Sequence, residues 1–165
     1  MGDEVNWLDE QQLRAWKSFA ALMVVLPATL DGQMQRLAGI TQFEYGVMAG
    51  LSEAPGRTMR ISALAEFAQG SLSRLSHLIK RLERRGWVRR ELDPADGRYT
   101  NAILTDEGYA KIVQIAPEHV AGVRRLVVDA LTPAQLRQLG EISERVLRGV
   151  TPGNCPGPPR YGERG

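Results

Sequence analysis

One segment constrains this chain more than any other. Ser71 to Arg85 reads Ser-Leu-Ser-Arg-Leu-Ser-His-Leu-Ile-Lys-Arg-Leu-Glu-Arg-Arg, with Gly70 before it and Gly86 after it. On a helical wheel of 100° per residue with Leu72 at 0°, Leu78, Leu82, Leu75 and Ile79 fall at about 240°, 280°, 300° and 340°. Ser73, Lys80, Arg84, His77, Arg81 and Arg74 fall between about 80° and 200°. A helix divided in this way lays its apolar stripe, Leu72 included, on a core and turns the cations, a hydroxyl and an imidazole outward. Gly70 predicts a tight turn before the helix, and Gly86 stops it.

The flanking sequence fixes what kind of core that is. Ile61 to Phe67 predicts a short preceding helix with Ser62 as its cap, and Arg57 to Arg60 a short edge strand. Trp87 to Glu91 and Tyr99 to Leu104 predict two strands, separated by the turn formers Asp93-Pro-Ala-Asp-Gly-Arg98. A helix, a turn, a helix and then a hairpin is a winged helix-turn-helix.

Long helices flank this unit. Leu13, Trp16, Phe19, Met23, Leu26, Leu30, Met34 and Leu37 recur at steps of three and four, predicting a helix from Asp9 to Leu37. Pro27 should kink or split it. Thr41-Gln-Phe-Glu44 is a capping box for a second helix that runs to about Glu53. Thr105-Asp-Glu opens a helix towards Leu131 with a bend at Pro117, and Thr132-Pro-Ala-Gln135 opens the last helix, to about Arg148. The fold class expected is mainly α with a small β-hairpin wing (α+β). Its parts are an N-terminal helix in 1–40, the winged helix-turn-helix in 41–104, C-terminal helices in 105–150, and a Pro/Gly-rich tail in 151–165.

Charge follows the same division. The 165 residues carry a net charge of only +2. Residues 60–98 hold 9 basic and 5 acidic residues, whereas residues 1–59 hold 4 and 7. Phosphate binding needs positive charge gathered on one surface, and here it gathers on the winged helix. The polar face of 71–85 suits a DNA major groove. Ser71, Ser73, Arg74 and His77 near its N-terminal end are the candidates for base edges, and Lys80, Arg81 and Arg84 for phosphates. Arg98 at the hairpin tip suits the negative potential of a minor groove, with Asp96 orienting it through a charge-assisted bond.

Other chemistries find little support. There is no G-x-S-x-G, no H-E-x-x-H and no phosphate-cradling glycine loop, so no enzyme is expected. His77 and His119 are 42 residues apart, and no cluster has metal-ligand spacing, so neither metal nor cofactor is expected. The one cysteine, Cys155, lies in the tail, which excludes a disulfide framework. No stretch reads as the roughly 20 apolar residues of a membrane span. The expected setting is cytoplasmic, without a membrane partner.

The run Leu72-Ser-Arg-Leu-Ser-His-Leu-Ile-Lys-Arg-Leu-Glu-Arg-Arg-Gly-Trp-Val-Arg-Arg90, then Asp93, Pro94, Asp96, Gly97 and Arg98, then Leu104-Thr-Asp-Glu-Gly108, resembles the MarR family of transcriptional regulators. Leu51-Ser-Glu-Ala-Pro-Gly56 resembles the family's break after the second helix. The resemblance covers about residues 9–148. It implies a homodimer built from the first and last two helices, presenting two winged helices to a pseudo-palindromic site in double-stranded DNA. It also implies a repressor, in many members released by a small phenolic or anionic effector. By helix position, Trp16, Phe19, Tyr45 and Met48 are the candidate lining residues if a pocket exists, and plain core packing is the other reading of the same four. Ile112, Ile115, Leu136, Ile142 and Val146 belong to the apolar stripe assigned to the dimer. The alternative is a winged helix serving as a protein-interaction module, or as a ligand-independent architectural DNA binder.

Overall fold

The computed structural model describes residues 5–68 and 71–150. The Gly70 turn and the 151–165 tail with Cys155 lie outside the described residues. Among those described, six α-helices surround a three-stranded antiparallel sheet.

Helix α1, Glu10–Ala38, is closed at its start by an Asp9–Gln12 capping box and at its end by Gly39, whose φ of 62° is left-handed. It runs through Pro27 as a single helix, so the expected split does not occur. One missing backbone donor in 29 residues leaves the remaining ladder to carry it. Helix α2, Gln42–Glu53, begins at the predicted Thr41–Glu44 capping box. A 3-10 turn, Pro55–Arg57, leads into β1, Thr58–Arg60. Helix α3, Ile61–Phe67, is capped by Arg60 without a side-chain bond. Ser62 therefore lies inside the helix and is not its cap, because β1 runs straight into the first turn. Helix α4, Leu72–Arg84, starts from Ser71, whose Oγ accepts from the Arg74 amide at 3.2 Å.

Strands β2, Val88–Leu92, and β3, Thr100–Leu104, form the expected hairpin, with Val88 opposite Leu104 and Leu92 opposite Thr100. β1 pairs with the other edge of β3, giving the order β1-β3-β2. Helix α5, Asp106–Val123, continues through Pro117 and widens into a π turn at Arg124–Val128. The Asp129 amide donates to the Arg124 carbonyl at 2.8 Å, and the Arg124 guanidinium donates to the Asp129 carboxylate at 2.6 Å, so one residue pair holds the wide turn twice. Helix α6, Pro133–Val150, is the last of the described elements.

The core lies where α2, α4, β3 and the first half of α5 meet. Met48, Leu51, Leu64, Leu75, Ile79, Leu82 and Ala102 are fully buried there. Two sequence expectations need correction. Leu72 is 59% exposed, because the first turn of α4 projects past the core that its other leucines reach. Ile112 and Ile115 are buried in this core instead of lying on a surface stripe, since α5 packs against α2 as well as α1.

The ends of the chain are different. Trp16, Phe19, Leu22, Met23 and Val24 on α1 and Ile142, Val146 and Leu147 on α6 are exposed. An 18-residue window of α1 has a mean hydropathy of 1.3, so by length and composition this helix could cross a membrane. That corrects the expectation that no stretch approaches a span. No uninterrupted apolar run in α1 is long, but Leu, Met, Val and Ala together outweigh its few polar residues.

Candidate nucleic-acid interface

The polar face of α4 is built as its sequence requires. Leu75, Leu78, Ile79 and Leu82 are buried, and Ser73, Arg74, His77, Lys80, Arg81 and Arg84 on the opposite side are exposed. The buried stripe contributes about 1.5–3 kcal/mol per leucine removed from water, which fixes the face that remains for a partner. His77, Lys80, Arg81, Glu83, Arg84 and Arg90 line an open groove of about 730 Å³ between α4 and β2. Its single carboxylate is engaged: Arg90 Nε donates to Glu83 Oε1 at 3.0 Å, and Nη2 stands 2.8 Å from Oε2 in the same ion pair. This charge-assisted pair also ties the hairpin to the helix.

The arginines of α4 are not equivalent. The Arg74 guanidinium carbon lies 4.4 Å above the centre of the Phe43 ring, on α2, within cation–π range. Arg81 forms an ion pair with Glu44, also on α2, with Nε 3.0 Å from Oε1. Arg85, just past the helix, donates to the Gly39 carbonyl at 2.9 Å and lies 4.9 Å from the Trp87 ring centre.

The hairpin loop is held by two carboxylates. Asp93 is 9% exposed; its Oδ1 accepts from the Ala95 amide at 2.9 Å and the Asp96 amide at 3.3 Å, and its Oδ2 accepts from Arg60 Nε at 2.8 Å. The Ala95 amide bond first, and the Arg60 bond second, hold its carboxyl below the usual range. Arg60 also covers the Tyr99 ring at 4.4 Å, so β1 braces the wing from beneath. At the tip, Arg98 Nη2 and Nε donate to Asp96 at 2.7 and 2.9 Å, and the Arg98 amide donates to the same carboxylate at 3.1 Å. The Arg98 side-chain bond lowers the Asp96 pKa, and Asp96 raises that of Arg98. The Arg98 side chain is 84% exposed, so it is oriented at its base and open at its end.

The wing and α4 join α5 at a close contact. Thr105 Oγ1 donates to the Gly86 carbonyl at 2.7 Å, and the Thr105 amide donates to the Trp87 carbonyl at 3.0 Å. A Cβ on Gly108 would stand 2.1 Å from that Trp87 oxygen, so only glycine permits this approach. Arg57 adopts a left-handed φ of 53° and reaches Asp106 at 2.9 Å and the Tyr109 ring at 3.8 Å, fastening β1 to the start of α5.

The four candidate effector residues do not share an enclosed site. Trp16 and Phe19 face each other at 6.4 Å on the exposed half of α1. Tyr45 and Met48 are sealed in the core, with Tyr45 4.4 Å from the His119 ring. Burial pushes the His119 imidazole below its usual range. Among the described residues, no group of three or more His, Cys, Asp or Glu side chains gathers as a metal site would require.

Sequence reasoning missed several residues that shape this surface. Asp93 was legible only as a turn former, although an aspartate whose carboxylate accepts from the amide two residues on is a familiar Asx turn. Its pairing with Arg60, 33 residues away, had no local signal. Phe43, Glu44 and Arg90 act on α4 and the wing from other elements, and Leu72 is an exposed apolar residue at the reading end of the helix.

The MarR family model matches residues 40–100, the segment from the end of α1 to the start of β3. The transcriptional regulator HosA of Escherichia coli O127:H6 is 36% identical over 101 residues, which span 61% of this chain and 73% of HosA. The chain belongs to the MarR family. A crystal structure of Sco3205, a MarR family transcriptional regulator from Streptomyces coelicolor in complex with DNA, superposes with a TM-score of 0.87 at 45% identity, covering 92% of this chain and 95% of that one. AbsC, another MarR family regulator of Streptomyces coelicolor, matches with a TM-score of 0.84 at 35% identity over 88% and 98%. This MarR-family chain is accordingly a DNA-binding transcriptional regulator and not an enzyme, and its mostly helical winged-helix fold is that of its neighbours.

Proposed function

We propose that the protein is a homodimeric repressor that binds a pseudo-palindromic operator in the cytoplasm. The observation that carries the reading is α4: four buried aliphatic side chains seat it, and Ser73, Arg74, His77, Lys80 and Arg84 face outward together. In the proposed docking, Ser71, Ser73, Arg74 and His77 meet base edges, and Lys80 and Arg84 neutralise phosphates. Leu72 joins the reading end, where an exposed apolar side chain suits a thymine methyl group. Arg98, aimed by Asp96, enters the adjacent minor groove.

A second copy is the proposed cover for the open faces of α1 and α6. Exposed apolar surface of this extent marks an association site, and a closed pair with two-fold symmetry buries the same patch on both subunits. DNA contact by Sco3205 supports the same use of the fold here. Tyr45 and Met48 are sealed while Trp16 and Phe19 lie on another, open face, so the four do not line one effector site within a single copy.

Selection from a random duplex library, with light scattering of the protein alone, tests the proposal. The expected result is a dimer that enriches a pseudo-palindrome with half-sites about one helical turn apart. A monomer, or a bound pool without a shared sequence, would overturn it.

A further inference from the structure

The first turn of α2 touches α4 at two heights, through consecutive residues. Phe43 lies under Arg74, and Glu44 bonds Arg81. Arg74 and Arg81 are seven residues apart, two helical turns, so both lie on one flank of α4. Glu44 is 4% exposed, and each of its oxygens has a partner. Oε2 accepts from the Thr41 amide at 2.7 Å and the Thr41 hydroxyl at 3.1 Å, and Oε1 is paired with the Arg81 guanidinium, 3.0 Å from its Nε. A carboxylate this deep needs a cation, and Arg81 is the one it has. The other end of that bond is accessible, since the Arg81 side chain is 51% exposed.

We infer that Glu44 is a positioning residue for DNA binding: it holds Arg81 against α2, so that this cation seats the recognition helix and does not add to phosphate neutralisation. The inference rests on the DNA-binding reading of α4. Of the four cations on the outward face, Lys80 and Arg84 carry the phosphate charge, Arg74 is oriented by Phe43, and Arg81 is balanced by Glu44. The Glu44–Arg81 pair contributes no net charge to the surface that DNA meets. Non-specific affinity is almost wholly electrostatic, so a balanced arginine on this face holds down binding to random sequence.

The test uses the full chain and a random-sequence duplex, with affinity measured across a salt series. Glu44→Gln keeps the capping box, since glutamine serves at that position as glutamate does. It leaves Arg81 half-exposed and able to turn to the phosphates. Its slope of log K against log salt should steepen by about 0.9, and its affinity for random duplex should rise about eight-fold near 0.1 M salt. The double variant Glu44→Gln/Arg81→Gln removes both charges and should return the slope to the parent value. A thermal melt of each variant confirms folding. A Glu44→Gln slope equal to the parent's, or a double variant whose slope is shallower by about 0.9, would show that Arg81 already neutralises a phosphate and would overturn the inference. A parent chain that binds no duplex at all would instead overturn the reading beneath it.

Discussion

Replacing Gly108 by alanine should destabilise the fold, against the usual sign for that change in a helix. Alanine inside a helix is ordinarily favoured over glycine by about 0.5–1 kcal/mol, because glycine loses more backbone entropy on folding. At Gly108 the new methyl would stand 2.1 Å from the Trp87 carbonyl oxygen, 2.8 Å from Leu104 Cδ1 and 2.9 Å from the Trp87 carbonyl carbon. Two of these neighbours are backbone that the Thr105 amide already holds at 3.0 Å. The helix must therefore withdraw by about 1 Å to restore ordinary contact, loosening the packing beside Leu104. Overpacking of this kind costs about 1–3 kcal/mol, and a rigid carbonyl places this case in the upper half. For a chain of this size the midpoint should fall by about 4–12 °C. Gly46→Ala in α2 is the control, because a Cβ there meets nothing within 4 Å and the φ is ordinary. It should melt about 1–4 °C above the parent. Both are measured by circular dichroism at one protein concentration, since an associating chain melts in a concentration-dependent way. A Gly108→Ala variant that melts with the parent or above it would refute the reasoning.

Three further outcomes follow from the interface and the core. Lys80→Ala and Arg84→Ala should each make the salt slope shallower by about 0.9 and weaken every duplex alike; an unchanged slope would remove that residue from the phosphate contacts. Arg74→Ala should cost about 1–3 kcal/mol on the selected operator and relax its sequence preference, and an equal loss on random DNA would deny it a base-reading role. Burial holds the folded His119 imidazole below its usual range, whereas the unfolded chain takes up that proton near about 6.5. The stabilisation is complete above that value and is lost as pH falls below it towards the folded pKa. Denaturant melts should therefore decline from about pH 7 to pH 5 more steeply for the parent than for His119→Gln, and parallel curves would exclude the effect.

The elements most legible in the sequence were those written in local chemistry. Thr41 with Glu44, and Thr105 before its two acids, each announced a helix start that the fold uses, and the period of the α4 leucines named its buried face. What escaped depends on distance along the chain. Nothing near Leu72 says that the core ends one turn before it does. The periodicity of Ile112 and Ile115 says that they are buried, but not whether their own chain or a second copy buries them. The π turn at Arg124–Val128 arises from one arginine–aspartate pair five residues apart, which a 3.6-residue pattern passes over. On the interface, residue types gave the outward face of α4 and the Asp96–Arg98 fork, both local. The partners that distinguish Arg74 from Arg81 come from α2, more than thirty residues upstream, and only the folded chain brings them together.

The junction at Gly86, Trp87, Thr105 and Gly108 has a mechanical consequence. α5 is a lever of 18 residues, about 27 Å long, whose near end is bonded to the wing through Thr105. Tilting such a lever by about 7° about its far end displaces the near end by about 3.3 Å, close to the rise of one base pair along DNA. In a two-headed assembly, a rotation that small at the far ends of the levers would set the stride between the heads out of step with the helical repeat.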